Sequence, residues 1–283
     1  MTLNSLIPLL PEVCRIAVEA GEQILQIYHH PDETPVDLKS DGTPVTIADQ
    51  KADLLISAAL NRLTPDIPLV SEESVSEIPF ETRQAWSTFW LVDPLDGTKE
   101  FIEGTGEFSV NIALIHNQQP VLGVVYVPVT RVLYYAFKDQ GAYKQTNPQL
   151  VPSMSWAQCF NPEYQISVDT VEVGRPVRVA VSRRHGSKIN AFLDALGPNK
   201  LVRMGSAIKS CLVAEGAADV YPRFGPTSLW DTAAAQCVVE EAGGQLVDRQ
   251  GNALRYAQSE TLLNPYFMVV GDCRYSWPEF PQV

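Results

Sequence analysis

The chain has 283 residues, 45% of them hydrophobic and 19% charged, which is enough apolar material for one large or two medium cores and excludes a mainly disordered protein. Its formal net charge of −12 argues against a broad surface for nucleic-acid polymers or anionic membranes, both of which need clustered Lys and Arg. A small phosphorylated ligand would also be repelled, unless bound cations and a few placed basic residues reverse the local field. The five cysteines (Cys14, Cys159, Cys211, Cys237, Cys273) are scattered and form no C-x-x-C pair, so neither a disulfide framework nor a thiolate zinc site is indicated. There is no apolar run near the roughly 20 residues of a membrane span and no basic leader, so the expectation is a soluble, cytoplasmic protein.

Leu6, Leu10, Val13, Ile16, Ala17, Ala20, Ile24 and Ile27 fall on one face of a helix that His29-His30-Pro31 closes. A polar link with Pro35 and Pro44 follows, and Thr46 starts a second helix running to about Leu63. In Thr46-Ile47-Ala48-Asp49, Asp49 fits a capping signature. Val70 to Glu73 read as a strand end that delivers Glu72 and Glu73, which taken alone are ordinary surface acids.

Phe89 to Val92 read as a buried strand, and Pro94 is expected to stop the ladder at Asp93, so that Asp93 and Asp96 are presented at the strand's carboxyl end. Hard oxygen ligands at this spacing suit Mg²⁺, and the turn at Gly97 offers backbone N–H groups and the Thr98 hydroxyl to a phosphate oxygen. Asp-Pro-Leu-Asp-Gly also reads as a plain turn. It is not an EF-hand loop, because Leu95 stands at the third position and Gly104 at the twelfth.

Further on, Phe108 to Ile115, Val121 to Val127 and Val132 to Phe137 suggest an antiparallel meander, and the Pro-punctuated stretch Thr146 to Pro162 suggests a boundary between residues 1–150 and 151–283. Downstream the pattern alternates: strand Val177 to Val181, helix Lys188 to Leu196, strand Leu201 to Met204, helix Ser206 to Glu215, strand Asp219 to Tyr221, helix Asp231 to Ala242, strand Gln245 to Val247. That half should be an α/β layer. Asp231 reads locally as an N-cap.

The run Trp90 to Phe101 resembles the hydrophobic-x-D-P-[LI]-D-G-T motif of the inositol monophosphatase superfamily. Trp230-Asp231-Thr232-Ala233-Ala234, followed by Glu241-Ala242-Gly243-Gly244, resembles that family's second signature, 138 residues further on. The resemblance implies metal ligation by Glu72 (in Ser71-Glu72-Glu73), Asp93, the Leu95 carbonyl, Asp96 and Asp231, with two or three Mg²⁺ ions, or Mn²⁺ in their place. It implies that Asp49 and Thr98 orient an attacking water, that no phosphoenzyme forms, and that Li⁺ inhibits. The implied fold is α+β, a layered αβαβα sandwich of the sugar-phosphatase type, with an antiparallel N-terminal sheet, a C-terminal α/β layer and the site between them.

Within that superfamily, Gly97-Thr98-Lys99-Glu100-Phe101 with Gly106-Glu107-Phe108-Ser109-Val110-Asn111-Ile112, Gly205-Ser206-Ala207-Ile208-Lys209 and Tyr221-Pro222-Arg223-Phe224-Gly225-Pro226-Thr227 are similar to elements of CysQ-type 3'(2'),5'-bisphosphate nucleotidases. Ser182-Arg183-Arg184-His185 resembles their nucleotide-contacting S-R-S-H element, with Arg184 in place of the second Ser. Two metals neutralise the phosphate being cleaved; a second phosphate needs its own cations, for which Lys209 and Arg223 are candidates, with Ser206 and His185 as further contacts. The expected partner is a small phosphorylated nucleotide, adenosine 3',5'-bisphosphate or its 5'-phosphosulfate analogue, bound by a monomer or homodimer. Inositol monophosphatase or fructose-bisphosphatase activity is the alternative on the same metal core, and a metal- or phosphate-binding regulator is the alternative without catalysis.

Overall fold

The structure, a computed structural model, describes residues 3–30, 36–38, 44–148, 155–183, 187–257 and 259–281. Two 3₁₀ turns lead into α1 (Leu10–Tyr28), where Pro11 sits in the first turn and removes only an N–H that has no helical acceptor. The short strands β1 (Val36–Leu38) and β2 (Pro44–Thr46) pair antiparallel within the stretch that the sequence suggests is a polar link. Thr46 then caps α2 (Ile47–Leu63).

After β3 (Leu69–Ser71) and α3 (Phe80–Arg83), the chain runs through β4 (Thr88–Asp96), the five-residue α4 (Thr98–Ile102), β5 (Ser109–His116), β6 (Gln119–Val127), β7 (Val132–Phe137) and β8 (Ala142–Thr146). Residues 149–154, the middle of the expected boundary, lie outside the described residues. Beyond them come α5 (Trp156–Cys159) and β9 (Gln165–Ile166), which pairs with β8 and completes a seven-stranded sheet in sequential order from β3 to β9. Its pairs are antiparallel, as expected, except β3 with β4, which run parallel at that edge. The parallel pairing brings the ends of β3 and β4, and hence Ser71-Glu72 and Asp93, to the same side of the sheet.

A second sheet is built from β10 (Val177–Val181), β11 (Asn199–Arg203), β12 (Val220–Arg223), β13 (Gln245–Asp248) and β14 (Phe267–Val270), in the order β11-β10-β12-β14-β13. Its connections carry α6 (Ser187–Leu196), α7 (Ile208–Ala214) and α8 (Trp230–Glu241). The α/β alternation holds for β10, β11 and β12, which are parallel; β14, not foreseen, inserts antiparallel to both β12 and β13.

Strand periodicity sorts the residues into layers. On β4, Trp90 and Val92 face α1 and α2, while Phe89 and Leu91 face α7 and α8; on β5, Ile112 and Leu114 alternate with Ala113 and Ile115 in the same way. Ile189 and Phe192 of α6 cover the far face of the second sheet, together with the C-terminal Tyr275, Trp277 and Phe280. The result is the αβαβα sandwich. Because α8 lies between the sheets, it is buried almost all round. It rests directly on β6 at Gly123, where a Cβ would stand 2.2 Å from the Ala234 carbonyl oxygen.

Candidate metal centre

β4 reaches Asp96 rather than stopping at Asp93, which corrects the expectation drawn from Pro94. The ladder passes from Asp93↔Asn111 to Asp96↔Ser109 with a register shift between them. Pro94 has no N–H to give, and the bulge absorbs it without ending the strand. Within the bulge the Leu95 side chain drops into the core beneath α1 and α2, and its N–H donates to Asp93 Oδ1 at 3.0 Å. Asp93 is therefore buried and aimed, and Asp96 follows on the same edge. Asp96 Oδ2 accepts from the Ala207 N–H at 2.5 Å and from Asn111 Nδ2 at 3.3 Å.

Asp231 arrives from the other half of the chain. It lies in the first turn of α8, one residue past the helix start at Trp230, with Leu229 rather than Asp231 at the capping position. Its Oδ2 accepts the Ser228 N–H at 2.9 Å. One carboxylate oxygen each from Asp93, Asp96 and Asp231 lie within 4.8 Å of one another.

Three acids at that separation repel each other. Burial, then Glu72, Asp96, Asp231 and Asp49, push the Asp93 carboxyl well above the usual carboxylate range. Burial raises Asp96 to about 6 even though Lys209, the Ala207 N–H and Asn111 oppose it. Asp231 is raised to about 8, by burial first and then by Asp96. Hard oxygen donors crowded together with unbalanced negative charge are what a divalent cation fits, since it turns their mutual repulsion into coordination. Glu72 stands outside the trio, yet its charge is the largest acting on Asp93; its N–H donates to the Val92 carbonyl at 3.1 Å, which ties β3's end to β4.

Asp49 divides its two oxygens. Oδ2 accepts from the Thr46 N–H at 2.8 Å and the Thr46 hydroxyl at 2.7 Å, a capping box, while Oδ1 accepts from the Thr98 hydroxyl at 3.1 Å. The helix-start reading and the Asp49–Thr98 pairing thus hold together in one side chain. Burial raises the Asp49 carboxyl, and the Thr46 and Thr98 hydrogen bonds work against it. Thr98 Oγ1 also lies 3.4 Å from the Leu95 carbonyl oxygen, and Gly97 precedes it at φ +99° as the N-cap of α4.

Asp96, Gly97, Lys209, Arg223 and Asp231 line one cleft, with Ser206 at its wall. The Lys209 ammonium donates to the Ser206 carbonyl at 2.6 Å and lies 5.2 Å from the Tyr221 ring centroid. Burial lowers Lys209 to about 8 in spite of Asp96, so at both members of this pair desolvation outweighs attraction. Arg223 donates one N–H to the Pro226 carbonyl at 2.8 Å, while its buried Nε has no hydrogen-bond partner among the described residues. His185 lies outside the described residues.

Sequence reasoning assigned no role to three positions. Asp53 accepts from the Ser71 hydroxyl at 2.5 Å and so braces the segment that carries Glu72; its signal was the i, i+4 spacing from Asp49 on one helix face. Asn111 lies opposite Asp93 and bonds Asp96, a position in a buried strand where a polar residue needs a partner. Glu107 accepts the Gly205 N–H at 2.9 Å, a contact across 98 positions that nothing local announces.

The profile of the Inositol monophosphatase family matches residues 7–272. A 3'(2'),5'-bisphosphate nucleotidase CysQ of Salmonella typhimurium is 44% identical over 262 residues, covering 92% of this chain and 99% of that protein. The protein of the same name from Haemophilus influenzae is 38% identical, covering 98% and 97%. The crystal structure of CysQ from Bacteroides thetaiotaomicron, described as a bacterial member of the inositol monophosphatase family, superposes with a TM-score of 0.79 at 40% identity, covering 95% of this chain and 97% of that one.

Proposed function

The chain belongs to the inositol monophosphatase family, and we propose that it is a Mg²⁺-dependent phosphomonoesterase that removes the 3'-phosphate of adenosine 3',5'-bisphosphate and of its 5'-phosphosulfate analogue. One observation carries this reading: an acid cluster drawn from both halves of the chain shares a cleft with a buried lysine, so a cation-dependent phosphate site and a fixed positive charge face the same ligand. The names of the 44% identical relatives support the choice of substrate.

In this reading Glu72, Asp93, Asp96, Asp231 and the Leu95 carbonyl hold two or three cations. Those ions, when bound, neutralise the phosphoryl group in flight and make water a competent nucleophile at neutral pH. Asp49 keeps the Thr98 hydroxyl oriented, and through it the line of attack of the water. The Gly97 and Thr98 N–H groups receive the phosphate oxygens. Lys209 and Arg223, with Ser206 and His185, receive the second phosphate and the nucleoside. Residues 1–150 then supply most of the metal ligands and the Gly97 and Thr98 N–H groups, and 151–283 supply Asp231 and the contacts to the second phosphate and the nucleoside, which is the functional sense of the proposed division. The site of action is the cytoplasm, in keeping with five free cysteines. Among the described residues, no helix is long and apolar enough to cross a membrane.

Phosphate release from adenosine 3',5'-bisphosphate, inositol 1-phosphate and fructose 1,6-bisphosphate at matched concentration in Mg²⁺ tests the reading. The first should be hydrolysed fastest. Preference for inositol 1-phosphate would overturn the substrate, and Mg²⁺ binding without release from any of the three would turn the chain into a regulator.

A further inference from the structure

Glu107, in the loop between α4 and β5, holds two segments of the second half of the chain with one carboxylate. Oε2 accepts from the Gly205 N–H at 2.9 Å and from Arg183 Nε at 2.9 Å, and Oε1 accepts from Arg183 Nη2. The guanidinium is thus met by both carboxylate oxygens, the strongest and most directional form of this ion pair. The loop is itself braced: the Glu107 N–H donates to the Thr105 hydroxyl, which donates to the Glu100 carbonyl.

The backbones meet as closely as the side chains. A Cβ at Gly205 would stand 2.5 Å from the Glu107 carbonyl oxygen and 2.8 Å from Glu100 Cγ, so only glycine permits this approach. Gly205 opens the turn into α7, and that turn positions the groups that face the cleft. Ser206 sits at φ +45°, its carbonyl takes the Lys209 ammonium at 2.6 Å, and the next residue gives its N–H to Asp96. Arg183 follows the end of β10 and leads into the segment carrying His185.

We propose that Glu107 and Arg183 form a latch that sets substrate specificity: by pinning the Gly205 turn and the end of β10 to the metal-carrying half, they hold Lys209 where a second phosphate on the ester must reach it. Both are positioning residues, and Arg183, neutralised by Glu107, is not itself a phosphate ligand. The inference rests on the functional reading above.

Steady-state kinetics in Mg²⁺ on adenosine 3',5'-bisphosphate and on 4-nitrophenyl phosphate, which has a single phosphate, test it. Glu107→Ala should raise KM for the bisphosphate about 10-fold or more, the scale of one lost charge-assisted hydrogen bond, with kcat little changed. Arg183→Ala should do the same, and Glu107→Gln, which keeps an acceptor for Gly205, should do less. KM and kcat for 4-nitrophenyl phosphate should stay near wild type in all three. An unchanged bisphosphate KM in Glu107→Ala overturns the latch. A rise confined to Arg183→Ala also overturns it, by making Arg183 a direct ligand. An equal loss of kcat on both substrates overturns it too, since it would mark Glu107 as a support of the metal end. If Glu107→Ala fails to fold, Glu107→Gln and the surface variant Arg183→Ala decide between these outcomes. A wild type that releases no phosphate from the bisphosphate removes the functional reading, and this inference with it; wild-type turnover with unchanged variant KM removes the latch alone.

Discussion

The acid end and the basic end of the cleft are held by different means. Asp93 and Asp96 leave a strand paired on both sides, and the bulge between them is locked by the buried Leu95 and by the bond from its N–H to Asp93. Lys209 sits at the start of α7, its ammonium held by the Ser206 carbonyl in a turn; Arg223 is the last residue of β12, its backbone paired with Phe267, and its guanidinium reaches the Pro226 carbonyl in the turn beyond. A ladder of main-chain hydrogen bonds tolerates little change, whereas turns as a class admit new lengths and new residues, Gly205 being the exception through its contact with Glu107. The acid end is therefore the part suited to fixed chemistry, and the basic end the part suited to choosing among esters.

The largest effect expected from breaking this contrast is at Asp96. Asp96→Asn should lower kcat about a thousand-fold or more on every phosphomonoester, because charge stabilisation worth several kcal/mol is lost from the transition state. The melting temperature without cation should hold or rise, since one of three repelling acids is gone. Near wild-type turnover in saturating Mg²⁺, measured by phosphate release, would remove Asp96 from the reaction.

At the other end, Lys209→Met should raise KM for the bisphosphate about 10- to 100-fold, the scale of a lost charge-assisted bond, and leave 4-nitrophenyl phosphate much less affected. Equal losses on the two substrates would erase the distinction between the ends. A smaller effect belongs to Asp53→Asn, which loosens the brace on Ser71 and should cost about 10-fold in activity or in the Mg²⁺ concentration for half-maximal rate. No change in either would show that Glu72 is held by β3 alone.

The mildest test uses pH. Asp96 and Asp231 are raised from 3.8 to about 6 and about 8, so the cation-free folded chain keeps protons that the unfolded chain releases. Stability without cation should fall as pH rises from the ordinary carboxylate range, the loss being complete above about pH 8. Mg²⁺ takes the deprotonated form, so its rise in melting temperature, about 5 °C well above Kd, should be larger at pH 8 than at pH 5. A shift independent of pH would mean that the cation binds elsewhere.

The parts of the molecule legible in the sequence are those encoded locally. An apolar strand running into Asp-Pro-Leu-Asp-Gly announces acids at a strand end, and Thr46-Ile47-Ala48-Asp49 announces a helix start. What was not legible depends on partners distant in the chain. β14 is a short apolar run whose place between β12 and β13 is set by pairing alone. The parallel sense of β3 is invisible in its three residues. Pro94 was read by its missing N–H, and the bulge that accommodates it depends on Asn111 and Ser109 across the ladder. Glu107 looks like any loop acid until Gly205 and Arg183 are brought to it.

Asp49 joins the beginning of a helix to the hydroxyl of Thr98 through a single carboxylate. Loosening the first turn of α2 by warming would move that carboxylate, and with it the partner of the Thr98 hydroxyl, without disturbing a strand of either sheet. The rate should therefore peak at a temperature below the midpoint of global melting, with the helix start acting as the fuse.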